Sequence, residues 1–319
     1  MTQKSSAKDL NFGQKILYWL LLGVCKLIGL LPYVVLYYML APLIYFLLYW
    51  VLRYRVKVVR TNLANSFPEK SEEERWEIER KFYKHLSEVF VDVIDMTSIT
   101  PRQLKRRMHI ENLEEFDQEV GQKDWVAALA HYGEWEYFSV FAIDHPYHNL
   151  GVYHPLKSKV MDCFMIHLRT RLGMEVVPMF GLARKVLQCK KAGEQMALGL
   201  IADQNAYLKD SDRKWRMFLN QPALFFGGMG HYAKRFGMPV YFLEIDERKP
   251  SHYNCRFVRL YDGVEDVDEM VIMDRYVAKL EEMIRRRPEL WLWSHKRWKV
   301  KPPQDAVIHE LTEDVSPTE

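Results

Sequence analysis

The sequence predicts an α/β domain with a mostly parallel central sheet flanked by helices, carried behind an N-terminal hydrophobic membrane-anchor segment. Two observations predict this class. The 26 residues from Leu27 to Leu52 carry no charge, and after them short apolar runs alternate with amphipathic helical patterns. With 319 residues and 49% hydrophobic side chains, the chain is ample for a large core and excluded from disorder.

The anchor comes first. An apolar run from Ile16 to Cys25 and the uncharged stretch after Lys26 exceed the roughly 20 residues that span a bilayer. The stretch is longer than a signal-peptide core and ends in Arg53, Arg55, Lys57 and Arg60 without a small-residue cleavage site, so it reads as retained. Pro32 and Pro42 interrupt a straight helix. A single span with the body on the cytoplasmic side and a shallow hairpin both account for the basic flanks, and a buried helical pair is the soluble alternative. Tyr and Trp residues such as Trp19, Tyr37 and Trp50 suit an interface.

Charge is graded along the chain. Residues 1–60 hold eight Lys or Arg against one Asp, residues 301–319 hold one Lys against five acidic residues, and the middle balances. Basicity confined to the N-terminal segment points to anionic membrane lipids and argues against nucleic acid as partner. Cys25, Cys163, Cys189 and Cys255 form no Cys-x-x-Cys pair, which predicts reduced thiols and no zinc frame.

Along the body, Ser71 and Glu74 make a capping box for a helix to about Phe90. Strands are predicted at Val126 to Ala130, Leu150 to Tyr153, Glu175 to Met179, Met196 to Ala202, Pro239 to Ile245 and Asn254 to Leu260. Helices are predicted near 157–172, 181–192, 227–236 and 265–287. On the first of these helices Met161, Met165, Leu168 and Leu172 form a core stripe, and Arg169 and Arg171 complement the C-terminal dipole.

The chemistry concentrates at His131-Tyr132-Gly133-Glu134-Trp135-Glu136. On one continuous helix residues five apart sit about 140° apart around the axis, so His131 and Glu136 meet only if the backbone turns at Gly133. A strand ending near Ala130 and a helix beginning near Glu134 put His131 at the sheet edge where open α/β sheets bind ligands. A carboxylate on one imidazole nitrogen would leave the other free as general base. The plainer reading is a strand-closing His and a first-turn Glu favoured by the helix dipole. Ala202-Asp203-Gln204 ends another strand at the same edge, where Asp203 holds an arginine or caps a turn.

His-x-Gly-x-Trp-Glu resembles the active-site box of the lipid A late acyltransferases, the lauroyl and myristoyl transferases of the glycerolipid-acyltransferase-like superfamily. Three other segments are similar to that family. They are Asn62-Leu63 with Phe67-Pro68, Phe225-Phe226-Gly227, and Pro288-Glu289-Leu290-Trp291-Leu292-Trp293-Ser294-His295-Lys296-Arg297-Trp298-Lys299. The family commonly has Asn at the position of Glu134 and more often Tyr at that of Trp291.

The resemblance implies an anchor and basic flank over 1–60, an acyltransferase catalytic domain over 61–300, and a disordered acidic tail over 301–319. It implies transfer of a fatty acyl group to a hydroxyl of a lipid A precursor in lipopolysaccharide biosynthesis, on the cytoplasmic face of a bacterial inner membrane. The donor is an acyl carrier protein thioester or acyl-coenzyme A, with no cofactor and no metal. His131 and Glu136 are the implied catalytic dyad, Arg169 pairs with Asp203 to bind substrate, and Lys296, Arg297 and Lys299 face phosphates or the carrier while the Trp residues anchor at an interface. Glycines after Phe226 would let backbone amides approach an oxyanion or phosphate. An acyltransferase for another membrane glycolipid or aminolipid, or an inactive lipid-binding protein on the same fold, is the alternative.

Overall fold

A computed structural model describes residues 7–204 and 215–311. Helix α1 (Phe12–Gly29) opens on a capping box in which Asn11 accepts from the Gln14 amide. Helix α2 (Tyr33–Val51) follows Pro32, which sits in the turn between the two. Pro42 does not break α2. The helix widens before it, with the Ala41 amide bonding to Leu36 five residues back, which accommodates a ring that would crowd the preceding turn.

Both helices are long and apolar enough to cross a membrane. Each buries only one narrow stripe. In α1 that stripe is Tyr18, Leu22, Cys25 and Gly29 at helical spacing, while Phe12, Trp19 and Leu27 on the other side are exposed.

The helices α3 (Val56–Ser66), α4 (Glu72–Asp95), α5 (Pro101–Arg107) and α6 (Leu113–Val120) follow. The Ser71–Glu74 capping box starts α4 as the sequence predicts. Gly29 lets α1 lie against the end of α4, because a Cβ there would come within 3.1 Å of the Ile94 carbonyl. Beyond α4 come α7 (Phe141–Asp144), α8 (Lys159–Thr170), α9 (Leu182–Ala192), α10 (Gly228–Phe236) and α11 (Glu269–Arg286).

The strands are β1 (Met108–Ile110), β2 (Trp125–Leu129), β3 (His148–Tyr153), β4 (Glu175–Pro178), β5 (Met196–Ile201), β6 (Trp215–Phe218), β7 (Gln221–Leu224), β8 (Val240–Lys249) and β9 (His252–Tyr261). Seven form one sheet in the order β1-β9-β8-β2-β5-β3-β4. Every pairing in it is parallel except the β8–β9 hairpin. The central strand β2 is buried at every residue, as a strand covered on both faces must be.

The helices and strands predicted after residue 120 are present to within a few residues at their ends. Strand β1 and the β6–β7 hairpin were not foreseen. Met161 departs from the predicted core stripe and is exposed, while Leu168 and Leu172 are buried. The predicted disordered tail is ordered at its start. Residues 301–311 run beside the hairpin, with Arg216 bridged to His309 and Ala306 and Ile308 packed on Trp215 and Leu224. Residues 312–319 lie outside the described residues.

Candidate active site

Register alone brings the site together. Strands β2 and β5 pair in parallel with Leu129 opposite Ile201, so the two residues that follow on each strand set His131 beside Asp203 at the C-terminal edge of the sheet. Tyr276 donates to the Leu129 carbonyl at 2.8 Å and closes the end of β2. Gly133, at φ +57°, then reverses the chain. A Cβ at that position would meet Ile245 at 3.0 Å and the Tyr253 ring at 3.2 Å, so the turn requires both the conformation and the bareness of glycine.

Asp203 is 1% exposed and fully engaged. One oxygen lies 2.8 Å from His131 Nδ1, and the other accepts from the His131 amide at 3.0 Å and from the Trp291 indole at 2.9 Å. Burial alone would push this carboxyl up. The His131 ring and these hydrogen bonds outweigh burial and hold it below the usual carboxylate range. The His131 side chain keeps about one fifth of its surface exposed, with the Trp135 ring edge-on at 5.1 Å. With Nδ1 committed to Asp203, Nε2 is the nitrogen left for chemistry.

Glu136 does not contact His131 through a hydrogen bond. It is the second residue of a short 3₁₀ helix, Trp135–Val140, and faces α8, where Arg169 binds it with two nitrogens, Nε at 2.7 Å. Burial pushes its carboxyl up, but Arg169 and, more weakly, the His131 ring bring it below the ordinary value. The expected pairings are thus exchanged. His131 pairs with Asp203 in place of Glu136, and Arg169 pairs with Glu136 in place of Asp203. The reason is geometric: Asp203 is the register neighbour of His131, whereas the turn at Gly133 carries Glu136 to the helix side. Arg171, expected to complement the C-terminal dipole of its own helix, donates to the Met96 and Ile99 carbonyls beyond α4.

The C-terminal segment packs over this edge, with Tyr132 bridged to Trp291 and the Leu292 amide bonded to the His131 carbonyl. Two expectations fail here. Trp291, Trp293 and Trp298 are buried in the core and do not lie at an interface. Arg297 is 1% exposed, donates to the Leu224 carbonyl at 2.8 Å and lies 4.5 Å from the Phe225 ring centre. Burial drops it to about 10, partly offset by Asp203. It is turned into the core and cannot reach a surface partner, whereas Lys296 and Lys299 are exposed. Arg285, Arg286 and Arg287 are drawn into ion pairs with Glu281, Glu244 and Glu289.

Two distant motifs meet here. Asn62 donates to the Trp293 and His295 carbonyls at 2.8 and 3.0 Å, and Phe67 packs against the Trp293 ring. His295 was not singled out from the sequence. It stands near the dyad, and burial first and the charge of His131 next push it down to about 4. The glycines after Phe226 serve packing: a Cβ on Gly230 would collide with the Glu269 carbonyl of α11. Among the described residues, the groups able to gather metal ligands do not include His131.

Glu134 is buried between these layers, accepting from the Glu136 amide through one oxygen while the other lacks a partner. Burial, Asp92 and Glu136 push its carboxyl well above the ordinary range, which favours the protonated form. A neutral carboxyl presents the same carbonyl acceptor that an amide would.

The family model described as bacterial lipid A biosynthesis acyltransferase matches residues 3–300. No curated protein matches the chain.

Proposed function

We propose that this chain, which belongs to the bacterial lipid A biosynthesis acyltransferase family and is an acyltransferase, moves a fatty acyl group from an acyl carrier protein thioester to a hydroxyl of a lipid A precursor. The observation that carries the mechanism is the 2.8 Å contact between His131 Nδ1 and Asp203. Asp203 fixes the Nδ1–H tautomer, and Nε2 takes the proton from the acceptor hydroxyl as its oxygen attacks the thioester carbonyl. The C–O bond forms, the tetrahedral oxyanion collapses, and the C–S bond breaks. The departing thiolate takes the proton back from the imidazolium, so no covalent acyl-enzyme forms.

Arg169, clamped by Glu136, positions substrate and faces the developing negative charge. Lys296 and Lys299 meet phosphates of the acceptor or the acidic carrier. The two apolar helices hold the chain at the cytoplasmic face of the inner membrane. Their one-sided burial against the body favours a hairpin lying in the interface over a single detached span.

The test is transfer of labelled acyl groups from a panel of acyl carrier protein thioesters, with acyl-coenzyme A alongside, to purified lipid A precursors. Transfer by wild type that His131→Ala abolishes supports the reading. Folded, membrane-bound wild type that transfers nothing to these acceptors shifts the reading to another membrane lipid.

A further inference from the structure

A second cluster of ligand-type side chains lies outside the dyad. His85 and Glu88 sit one turn apart on α4, and Glu247 stands near the end of β8. One donor atom from each of the three lies within 4.8 Å of the others. His85 is 5% exposed, yet neither ring nitrogen has a hydrogen-bond partner. Its Nδ1 is 3.7 Å from Glu247 Oε1, too long for a hydrogen bond, and that oxygen is also without a partner. The other Glu247 oxygen is turned to Arg287 at 3.8 Å. The imidazole and the carboxylate oxygen are at ion-pair distance, 3.7 Å, with no hydrogen bond to either, a spacing that leaves room for a shared ion between them.

We propose that His85, Glu88 and Glu247 bind a divalent transition cation of the Zn²⁺ type. One imidazole and two carboxylates are a donor set for such an ion, and the two carboxylate charges balance it. Metal–ligand bonds of about 2.0–2.2 Å set tetrahedral donors roughly 3.4 Å apart, so the three close slightly on binding. Arg287 on the far Glu247 oxygen acts as the outer partner that orients the ligand.

The role is positional. Arg287 begins the turn Pro288–Leu290, which leads directly to Trp291 and its bond to Asp203. An ion here ties α4 and β8 to the segment that holds the catalytic carboxylate. The site stands independently of the donor and acceptor proposed above.

The test uses the full chain in detergent, stripped with chelator and titrated with Zn²⁺ alone by calorimetry, with Mg²⁺ as comparison. The expected result is saturable 1:1 zinc binding that raises Tm, weakened at least about tenfold in the isosteric Glu88→Gln and Glu247→Gln variants. His148→Gln, which alters the other candidate cluster of His148, Cys189 and Glu194, should leave binding unchanged. Cobalt-loaded wild type should show ligand-field absorption without a thiolate charge-transfer band. The proposal is overturned by absence of saturable zinc binding to folded wild type, by binding that survives both Gln substitutions, or by a thiolate band, which would put the ion on a cysteine.

Discussion

His131 and Asp203 are 72 residues apart in the chain and 2.8 Å apart in the site, joined by the parallel register of β2 and β5. Asp203→Asn removes the charge that steadies the imidazolium and sets an NH2 group against one of the N–H donors from which Asp203 now accepts. It should lower kcat by about 10²–10⁴-fold and lower Tm as well, because a buried donor loses its acceptor. A variant that retains wild-type turnover would rule out the pair as the base system.

The Glu136–Arg169 ion pair is buried on the Glu136 side and mostly covered on the other. Glu136→Ala leaves an uncompensated guanidinium, at a cost of about 3–5 kcal/mol in unfolding free energy. Glu136→Leu combined with Arg169→Met should recover much of that stability and none of the activity. Denaturant unfolding and acyl transfer, measured on the same samples, separate the two effects.

Glu134 and Asp203 make opposite contributions to the pH dependence of stability. The folded-state value of Glu134 is raised, so the native state holds a proton that the unfolded chain releases, and stability falls as pH climbs above the ordinary glutamate value of about 4.3. Asp203 is lowered, so its contribution is present above the ordinary aspartate value and is lost as pH falls through the folded one. Glu134→Gln should therefore fold, keep activity and flatten the decline of Tm toward alkaline pH. An unchanged Tm profile in that variant would show that Glu134 is not held protonated.

Gly133→Ala tests the turn. The left-handed conformation costs an L residue about 1–2 kcal/mol, and the added methyl presses on Ile245 and Tyr253. Both act one residue beyond Tyr132 and displace His131, so Tm and kcat should fall together.

Asn62→Ala removes two bonds to the carbonyls of Trp293 and His295. Leaving buried carbonyls unsatisfied costs about 1–3 kcal/mol. Because the freed segment carries Trp291, acyl transfer should drop as well, and tryptophan fluorescence should report the loosening.

The sheet was legible because its strands are short apolar runs separated by helical periodicity, and the His131 turn because Gly133 stands where a reversal is required. The pairings at the site were not. Sequence proximity favours Glu136 as the partner of His131, while the true neighbour follows from strand order, which no local pattern encodes. The same limit applies to Arg297. A basic residue between exposed lysines reads as surface, and only its seat over the Phe218 and Phe225 rings shows it turned inward. Glu134 stands where the family commonly has Asn, and only its burial shows that the carboxyl is pushed toward the protonated form.

One contact made by the hydrophobic N-terminal region bears on how this protein can be handled. Tyr37 of α2 donates to Asp92, inside a buried group that also holds Arg107, Tyr137 and Ser251. A shortened version beginning after residue 52, made to free the enzyme of detergent, would delete that hydroxyl and open Asp92 and its neighbours to water. The apolar helices are thus walls of the enzyme, and solubility is better sought by recolouring their outer faces, at Phe12, Trp19 or Leu27, than by cutting them away.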